Sequence, residues 1–172
     1  MARVRCATCG AEHDLSEMEP RFGWPRAYAE VPPEERERRT KLGADWCRIR
    51  DAAGTEWRSF LRALLPMPVR GEAEACSWGV WVEVSADVYT RVSELWDAED
   101  QEREPPFRAT LANRAPDYPD TLGLPGTLQL TGPASVPRFT LDPHLDHPLA
   151  REQREGVYPE RVLEWLAPLL HP

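Results

Sequence analysis

The chain lacks the apolar segments that would direct it to a membrane. No apolar run approaches the roughly 20 residues of a membrane-spanning helix. The first residues, Met1 to Cys6, also lack the apolar stretch of a secretory signal peptide. We therefore expect a cytoplasmic protein with no membrane partner, in which cysteines serve as thiols or metal ligands rather than in disulfides.

Motifs of common catalytic and nucleic-acid-binding sites are missing as well. The sequence contains no glycine-rich phosphate loop, no Gly-x-Ser-x-Gly and no nucleophilic cysteine in a recognisable histidine context. Acidic residues outnumber lysines and arginines, so that the formal net charge is −8. The densest basic run, from Arg36 to Lys41, follows two glutamates and includes a third. Such a mixture of charges is typical of a solvated helix face. We therefore expect no nucleic-acid partner.

What the chain does have points to one folded domain. Hydrophobic residues make up 41% of the sequence, and seven of the residues are tryptophans, which argues against disorder. Proline occurs 18 times in 172 residues, about twice the average frequency. This abundance favours short elements and many turns. We predict a single domain over residues 1–172, with a cysteine-bearing N-terminal element over 1–23.

The pattern of apolar residues predicts an α+β fold with a largely antiparallel sheet and a few flanking helices. Alternation favours a hairpin over 46–65 and a strand from Cys76 to Val84. Ser85 is a suitable N-cap for the helix that follows it. The other predicted elements are helices at 33–42, after Asp146 and from Pro159, and strands at 107–114, 126–131 and 136–141.

The strand from Cys76 to Val84 and the helix after it predict one buried layer. Its apolar face carries Trp78, Val80, Val82 and Val84, while Gly79, Trp81 and Glu83 take the other face. The helix presents an apolar stripe at i, i+4 and i+7, made of Val88, Val92 and Leu95. We expect this stripe to cover the strand.

A Cys-x-x-Cys-Gly motif near the start of the chain predicts a structural zinc ion. Cys6 and Cys9 are spaced for two thiolates on one ion, and Gly10 permits the turn beneath them. Cys47 and His13 are the candidates for the third and fourth ligands. Two alternatives remain: the cysteines pack as small buried apolar residues, or the pair has a redox role.

Several short motifs together resemble a known bacterial family. They are Cys6-x-x-Cys9-Gly10 with His13, Asp45-x-Cys47 with Phe60-x-Arg62 and Pro68-Val69, Trp78-Gly79-Val80-Trp81-Val82, Tyr118-Pro119-x-Thr121-Leu122, and His147-Pro148-Leu149-Ala150-x-Glu152-Gln153-x-x-Gly156. By these the chain is similar to domain of unknown function 2199 (DUF2199), a family of uncharacterised proteins. It departs from the family at Cys76-Ser77, where the family tends to have an aromatic residue before Trp78. The resemblance implies one fold over nearly the whole chain and no established activity.

Two further groups of residues are candidates for a site. His144, His147 and Glu152 offer the two imidazoles and one carboxylate of an open catalytic zinc site. However, prolines flank the histidines and the spacing is not His-Glu-x-x-His. A hydrogen-bonded structural histidine, or one that lines a pocket, is the alternative. Arg62, His147 and Gln153 form a possible ligand pocket, and an inward-facing Arg62 would need Asp45 or Glu83 as its partner.

From the sequence we expect a non-enzymatic binding or regulatory module with a structural Zn²⁺. Its partner would be a protein or a small-molecule ligand. The alternative is a small metal-assisted hydrolase that uses His144, His147 and Glu152.

Overall fold

The computed structural model describes residues 3–5, 10, 12–14, 20–73 and 75–170. In these ranges the strands are β1 (Arg3–Arg5), β2 (Glu12–Asp14), β3 (Thr40–Leu42), β4 (Trp46–Arg50), β5 (Trp57–Met67), β6 (Cys76–Val84), β7 (Phe107–Leu111), β8 (Pro125–Gln129) and β9 (Arg138–Leu141). The helices are α1 (Arg26–Ala29), α2 (Pro33–Arg39), α3 (Ala86–Leu95), α4 (Pro148–Glu155) and α5 (Pro159–Leu170). None of the helices described has the length and apolar content needed to cross a membrane.

The main sheet has seven strands in the order β3-β4-β5-β6-β7-β8-β9, and each neighbouring pair is antiparallel. The predicted α+β class is therefore confirmed. One feature was not predicted: β9 also pairs with β5 in parallel at Arg138 and Leu64. That pairing joins β9 to β5 and closes the five strands from β5 to β9 into a ring.

The closure requires a very close approach of β8 and β9. Gly126 on β8 lies opposite Leu141 on β9. A Cβ atom added at Gly126 would come within 2.7 Å of the ring of Phe139, and even closer to the backbone oxygen of Thr140. Glycine is the residue that allows two backbones to approach in this way.

The inside of the ring is the main hydrophobic core. Trp78, Val80, Val82 and Val84 are all buried in it. Val92 of α3 is buried in the same cluster, and Val88 and Leu95 pack against it. The predicted face and its covering helix are confirmed. Full burial of each such side chain contributes about 1.5–3 kcal/mol.

The outer face of β5 and β6 is also covered, which the alternating pattern did not predict. A second buried cluster consists of Val31, Cys47, Ile49, Phe60, Trp81 and Ala112. The chain before and within α1 lies over it. There the indole N–H of Trp81 donates to the carbonyl of Phe22 at 3.1 Å. Asn113 accepts from the backbone N–H of Trp81 and donates to the carbonyl of Trp24.

The ends of the helices show which local signals decided the structure. Ser85 caps α3 as predicted and accepts from the N–H of Val88. The first predicted helix ends at Arg39 rather than 42, because Thr40–Leu42 pairs with β4 as an edge strand. α4 is capped by His147 and not by Asp146, and it stops at Gly156, whose φ is 79°.

Of the N-terminal zinc-knuckle element, Cys6 and Cys9 lie outside the described residues. The structure does describe β1 and β2, which pair antiparallel with Val4 opposite His13. β1 contacts α5, so this strand pair is attached to the C-terminal helix.

Candidate functional site

The candidate zinc ligand that the structure describes in full is Cys47. It lies in the middle of β4, is completely buried, and belongs to the apolar cluster under α1. Burial raises the pKa of this thiol to about 12. Its packing among apolar neighbours is that of a small buried apolar residue, one of the alternatives above, and its role as a zinc ligand stays a prediction. Within the described residues, no three His, Cys, Asp or Glu side chains form a group that could hold a metal ion.

His144, His147 and Glu152 are all described, and the structure does not bring them together as a metal-binding group. His144 is exposed and lines a surface cleft of about 460 Å³ with Arg108 and Thr140. His147 is only 8% exposed, and its Nδ1 accepts the backbone N–H of Leu149 at 3.1 Å. That hydrogen bond uses the lone pair that a metal would need at Nδ1.

Arg62, His147 and Gln153 have separate surroundings in the structure. Arg62 lies opposite Trp81 and 3.9 Å from the carboxylate of Asp45, one of its two predicted partners. Gln153 is buried, accepts from the N–H of Leu141, and donates to the carbonyls of Pro66 and Phe139. These bonds fix α4 to the strand ends. A shared ligand pocket for the three residues stays a prediction.

A different set of side chains does come together, between the start of β6, the loop after β7, and helices α4 and α5. The phenolic hydroxyl of Tyr118 donates to the carboxylate of Glu152. The guanidinium of Arg161 lies 5.4 Å from the centre of the Tyr118 ring, 5.6 Å from that of Trp165, and 3.9 Å from Glu152. Trp78 completes this aromatic–carboxylate cluster, with its ring edge-on to Trp165 at 5.0 Å.

The state of Tyr118 limits the chemistry of the aromatic–carboxylate cluster. Burial and the hydrogen bond to Glu152 raise the pKa of Tyr118 well above its ordinary value. The side chain is therefore a neutral phenol that donates a hydrogen bond to the carboxylate, and not a phenolate base or nucleophile. The arrangement is suited to holding a charge rather than to transferring a proton.

Two donors in the cluster are left without acceptors. The indole N–H groups of Trp78 and Trp165 are buried, and neither has a hydrogen-bond partner within the described ranges. An unsatisfied buried donor costs about 1–3 kcal/mol. Because buried polar groups are usually hydrogen-bonded, both indole N–H groups remain open to an acceptor that enters the cluster.

The family comparison covers most of this cluster. A family model described as an uncharacterised protein conserved in bacteria (DUF2199) matches residues 5–157. The chain belongs to the DUF2199 family. No curated protein and no solved structure matches the chain.

Trp78, Tyr118 and Glu152 come from three of the segments by which the sequence resembles DUF2199, so the fold joins parts that lie far apart along the chain. Arg161 and Trp165 lie beyond the matched residues, and sequence reasoning did not single them out. Their spacing was the available signal, because residues i and i+4 are neighbours on one face of a helix.

Proposed function

We propose that this DUF2199 protein is a non-enzymatic binding and regulatory module whose aromatic–carboxylate cluster recognises a positively charged group. In the free protein Arg161 occupies the position of that group. The observation that carries the proposal is the position of the Arg161 guanidinium, over the rings of Tyr118 and Trp165 and beside Glu152.

The chemistry of the cluster supports a cation as the ligand. Aromatic faces attract ammonium and guanidinium groups, and the interaction is worth roughly 2 kcal/mol or more when the groups are desolvated. Glu152 adds a carboxylate of the complementary charge. The whole chain carries a formal charge of −8, which attracts cationic partners to its surface.

The position of Arg161 suggests how binding is regulated. Arg161 is about a quarter exposed and also pairs with Glu164, which is mostly exposed. A ligand cation that takes its place would release the start of α5 from Glu152 and Tyr118. Binding and the docking of α5 are therefore coupled, because both use the same carboxylate and rings.

A direct test measures, by calorimetry at constant ionic strength, the binding of methylguanidinium chloride and tetramethylammonium chloride to the protein. Arg161→Ala should bind methylguanidinium at least about tenfold more tightly than the wild type, because the internal competitor is gone. Arg161→Ala combined with Glu152→Gln should lose that gain. Arg151→Ala, which removes an exposed arginine from α4, is the matched control.

Saturable binding to Arg161→Ala that disappears with Glu152→Gln would support the cation site. Absence of binding to Arg161→Ala, or equal binding to the Arg151→Ala control, would refute it.

We also propose a structural zinc ion held by Cys6, Cys9 and Cys47, with His13 as the fourth ligand. The support is the Cys-x-x-Cys-Gly motif and its tetrahedral ligand chemistry. Elemental analysis should find roughly one zinc per chain in the wild type and none in Cys9→Ser. Cys47→Ala removes one proposed ligand and should lose most of the bound zinc. Full retention of zinc in Cys47→Ala would show that Cys47 is not a ligand. A wild type without zinc would contradict the whole site.

A further inference from the structure

Four basic and aromatic side chains share one face of the strands at the open edge of the sheet. Lys41 on β3 lies directly opposite Arg48 on β4, and Arg50 lies opposite Trp57 on β5. Because side chains alternate along a strand and opposite residues share a face, all four point the same way. We call this set the basic face.

The basic face is centred on the Trp57 ring. The charged groups of Lys41, Arg48 and Arg50 lie 5.6, 5.1 and 5.7 Å from the ring centre. Lys41 and Arg50 are exposed, while Arg48 and Trp57 are half-buried. One ring thus gathers three positive charges, two of them at the surface.

No carboxylate neutralises these charges within the part of the chain that the structure describes. Ion pairs there join Arg39 to Glu35 and Arg58 to Glu83, whereas Lys41, Arg48 and Arg50 form none. The acid next to Arg50 in the sequence, Asp51, has its carboxylate oxygens engaged by Thr55 and by the backbone N–H of Glu56.

The three like charges of the basic face repel one another, although each is attracted by the Trp57 ring. Like charges directly opposite each other on neighbouring strands are destabilising, and the chain has 29 acidic residues but only 21 lysines and arginines. Three cations without a carboxylate partner among the described residues are therefore unexpected from the composition. Its position is set by strand register, since Lys41 and Arg48 are seven residues apart in sequence yet face each other in the sheet.

The floor of the basic face also contains unsatisfied polar atoms. Ser59 lies opposite Arg48 and is only 1% exposed. Neither its hydroxyl nor the buried Nε of Arg48 has a hydrogen-bond partner among the described residues. Independently of the charge, these unsatisfied donors indicate a site whose ligand is an anion rich in hydrogen-bond acceptors.

We propose that the basic face binds the phosphate group of a small soluble phosphate ester. Lys41 and Arg50 close on the phosphate oxygens from the surface, and Arg48 contacts the anion from below with its guanidinium donors. Three cations match one dianionic phosphate. The overall charge of −8 repels a long polyanion, so the favoured ligand is a single phosphate group rather than a nucleic-acid strand.

Calorimetric titration with inorganic phosphate and with phenyl phosphate tests this site, with phenol and sodium chloride of equal ionic strength as blanks. We expect saturable binding of both phosphates. Arg48→Gln and Arg50→Gln should each weaken it by about tenfold or more, because each removes a charge-assisted contact. Arg138→Gln, an exposed arginine on β9, is the control of equal charge and should bind as the wild type does.

A loss in Arg138→Gln equal to that in Arg50→Gln would overturn the proposal, since binding would then follow net charge alone. So would an absence of saturable binding to the wild type. A single-stranded oligonucleotide that binds more tightly than phenyl phosphate through the same arginines would overturn the choice of a small ligand.

Discussion

The aromatic–carboxylate cluster and the basic face both hold cations over tryptophan, but among the described residues only the first contains a neutralising acid. Arg161 lies over Tyr118 and Trp165 with Glu152 at 3.9 Å. Lys41, Arg48 and Arg50 surround Trp57 with no carboxylate at ion-pair distance among the described residues.

The difference shows that contact with an aromatic ring does not determine whether a cation is also paired with a carboxylate within the protein. A ring attracts a cation at both places, but a carboxylate completes the first interaction inside the molecule. The first cation therefore ties α5 to the carboxylate of Glu152. The second group has no carboxylate at ion-pair distance among the described residues, which is why we propose an anion as its ligand.

The largest expected difference between the two clusters lies in their contribution to the core. Trp78→Ala should lower the free energy of unfolding by about 3–5 kcal/mol, because Trp78 is 2% exposed and its removal leaves a cavity. Trp57→Ala should cost about 1–2 kcal/mol, since its ring is half-exposed. Urea unfolding of both variants measures this, and equal losses would remove the distinction.

The next effect concerns the neutralising carboxylate. Glu152→Gln retains an oxygen for the Tyr118 hydroxyl but removes the charge beside Arg161, so we expect a loss of about 1–2 kcal/mol in unfolding free energy. Glu164→Gln removes the other, mostly exposed partner of Arg161 and should cost less than about 0.5 kcal/mol. If the two variants are alike, the carboxylate is not what distinguishes the cluster.

A smaller effect of opposite sign is expected at the basic face. Lys41→Gln removes one of two like charges that face each other and should raise the free energy of unfolding by about 0.2–0.5 kcal/mol. The gain should shrink as salt is added, because salt screens exposed charges. Unfolding at low and high ionic strength measures it. A destabilised variant would mean that these cations are satisfied within the protein.

The smallest effect concerns the turn that aligns Arg50 with Trp57. Hydrogen bonds from the Thr55 side chain and from backbone N–H groups lower the pKa of Asp51. A lowered folded-state pKa stabilises the protein above the ordinary value of about 3.9, and this contribution is lost as the pH falls through the folded-state pKa.

Asp51→Asn should therefore lower the Tm slightly at pH 7, and the gap from wild type should close below about pH 4. Thermal melts between pH 3 and pH 7 measure it. A gap that does not depend on pH would show that the carboxylate charge does not matter in this turn.

Sequence reasoning predicted the elements whose signals are local. The hairpin over 46–65, the strand Cys76–Val84 and the Ser85 cap follow from alternation and from one side chain near the start of a helix, and the structure has them. His147, and not the predicted Asp146, caps α4, because its Nδ1 can accept the same kind of hydrogen bond from the N–H of Leu149. Residue spacing alone does not show which of two neighbouring acceptors caps a helix.

The candidate site was predictable only in pieces. Trp78, Tyr118 and Glu152 lie in motifs that are visible in the sequence, but their contact depends on how α4 and α5 pack against the start of β6. Cys47 matched a zinc ligand by residue type, yet its fully buried position among apolar side chains follows from a second cluster on the outer face of the sheet. Alternation along one strand does not reveal that both faces are covered.

The sequence by itself determined the DUF2199 family, the α+β class, the layer formed by β6 and α3, and the absence of a contiguous basic segment. Each of these depends on residues that are close together in the chain or on composition. The tertiary structure alone decided the closure of the ring, the pairing of Tyr118 with Glu152, and the gathering of Lys41, Arg48 and Arg50 around Trp57. The physical reason is that strand register and helix packing set distances between residues far apart in sequence, and charge interactions depend on those distances.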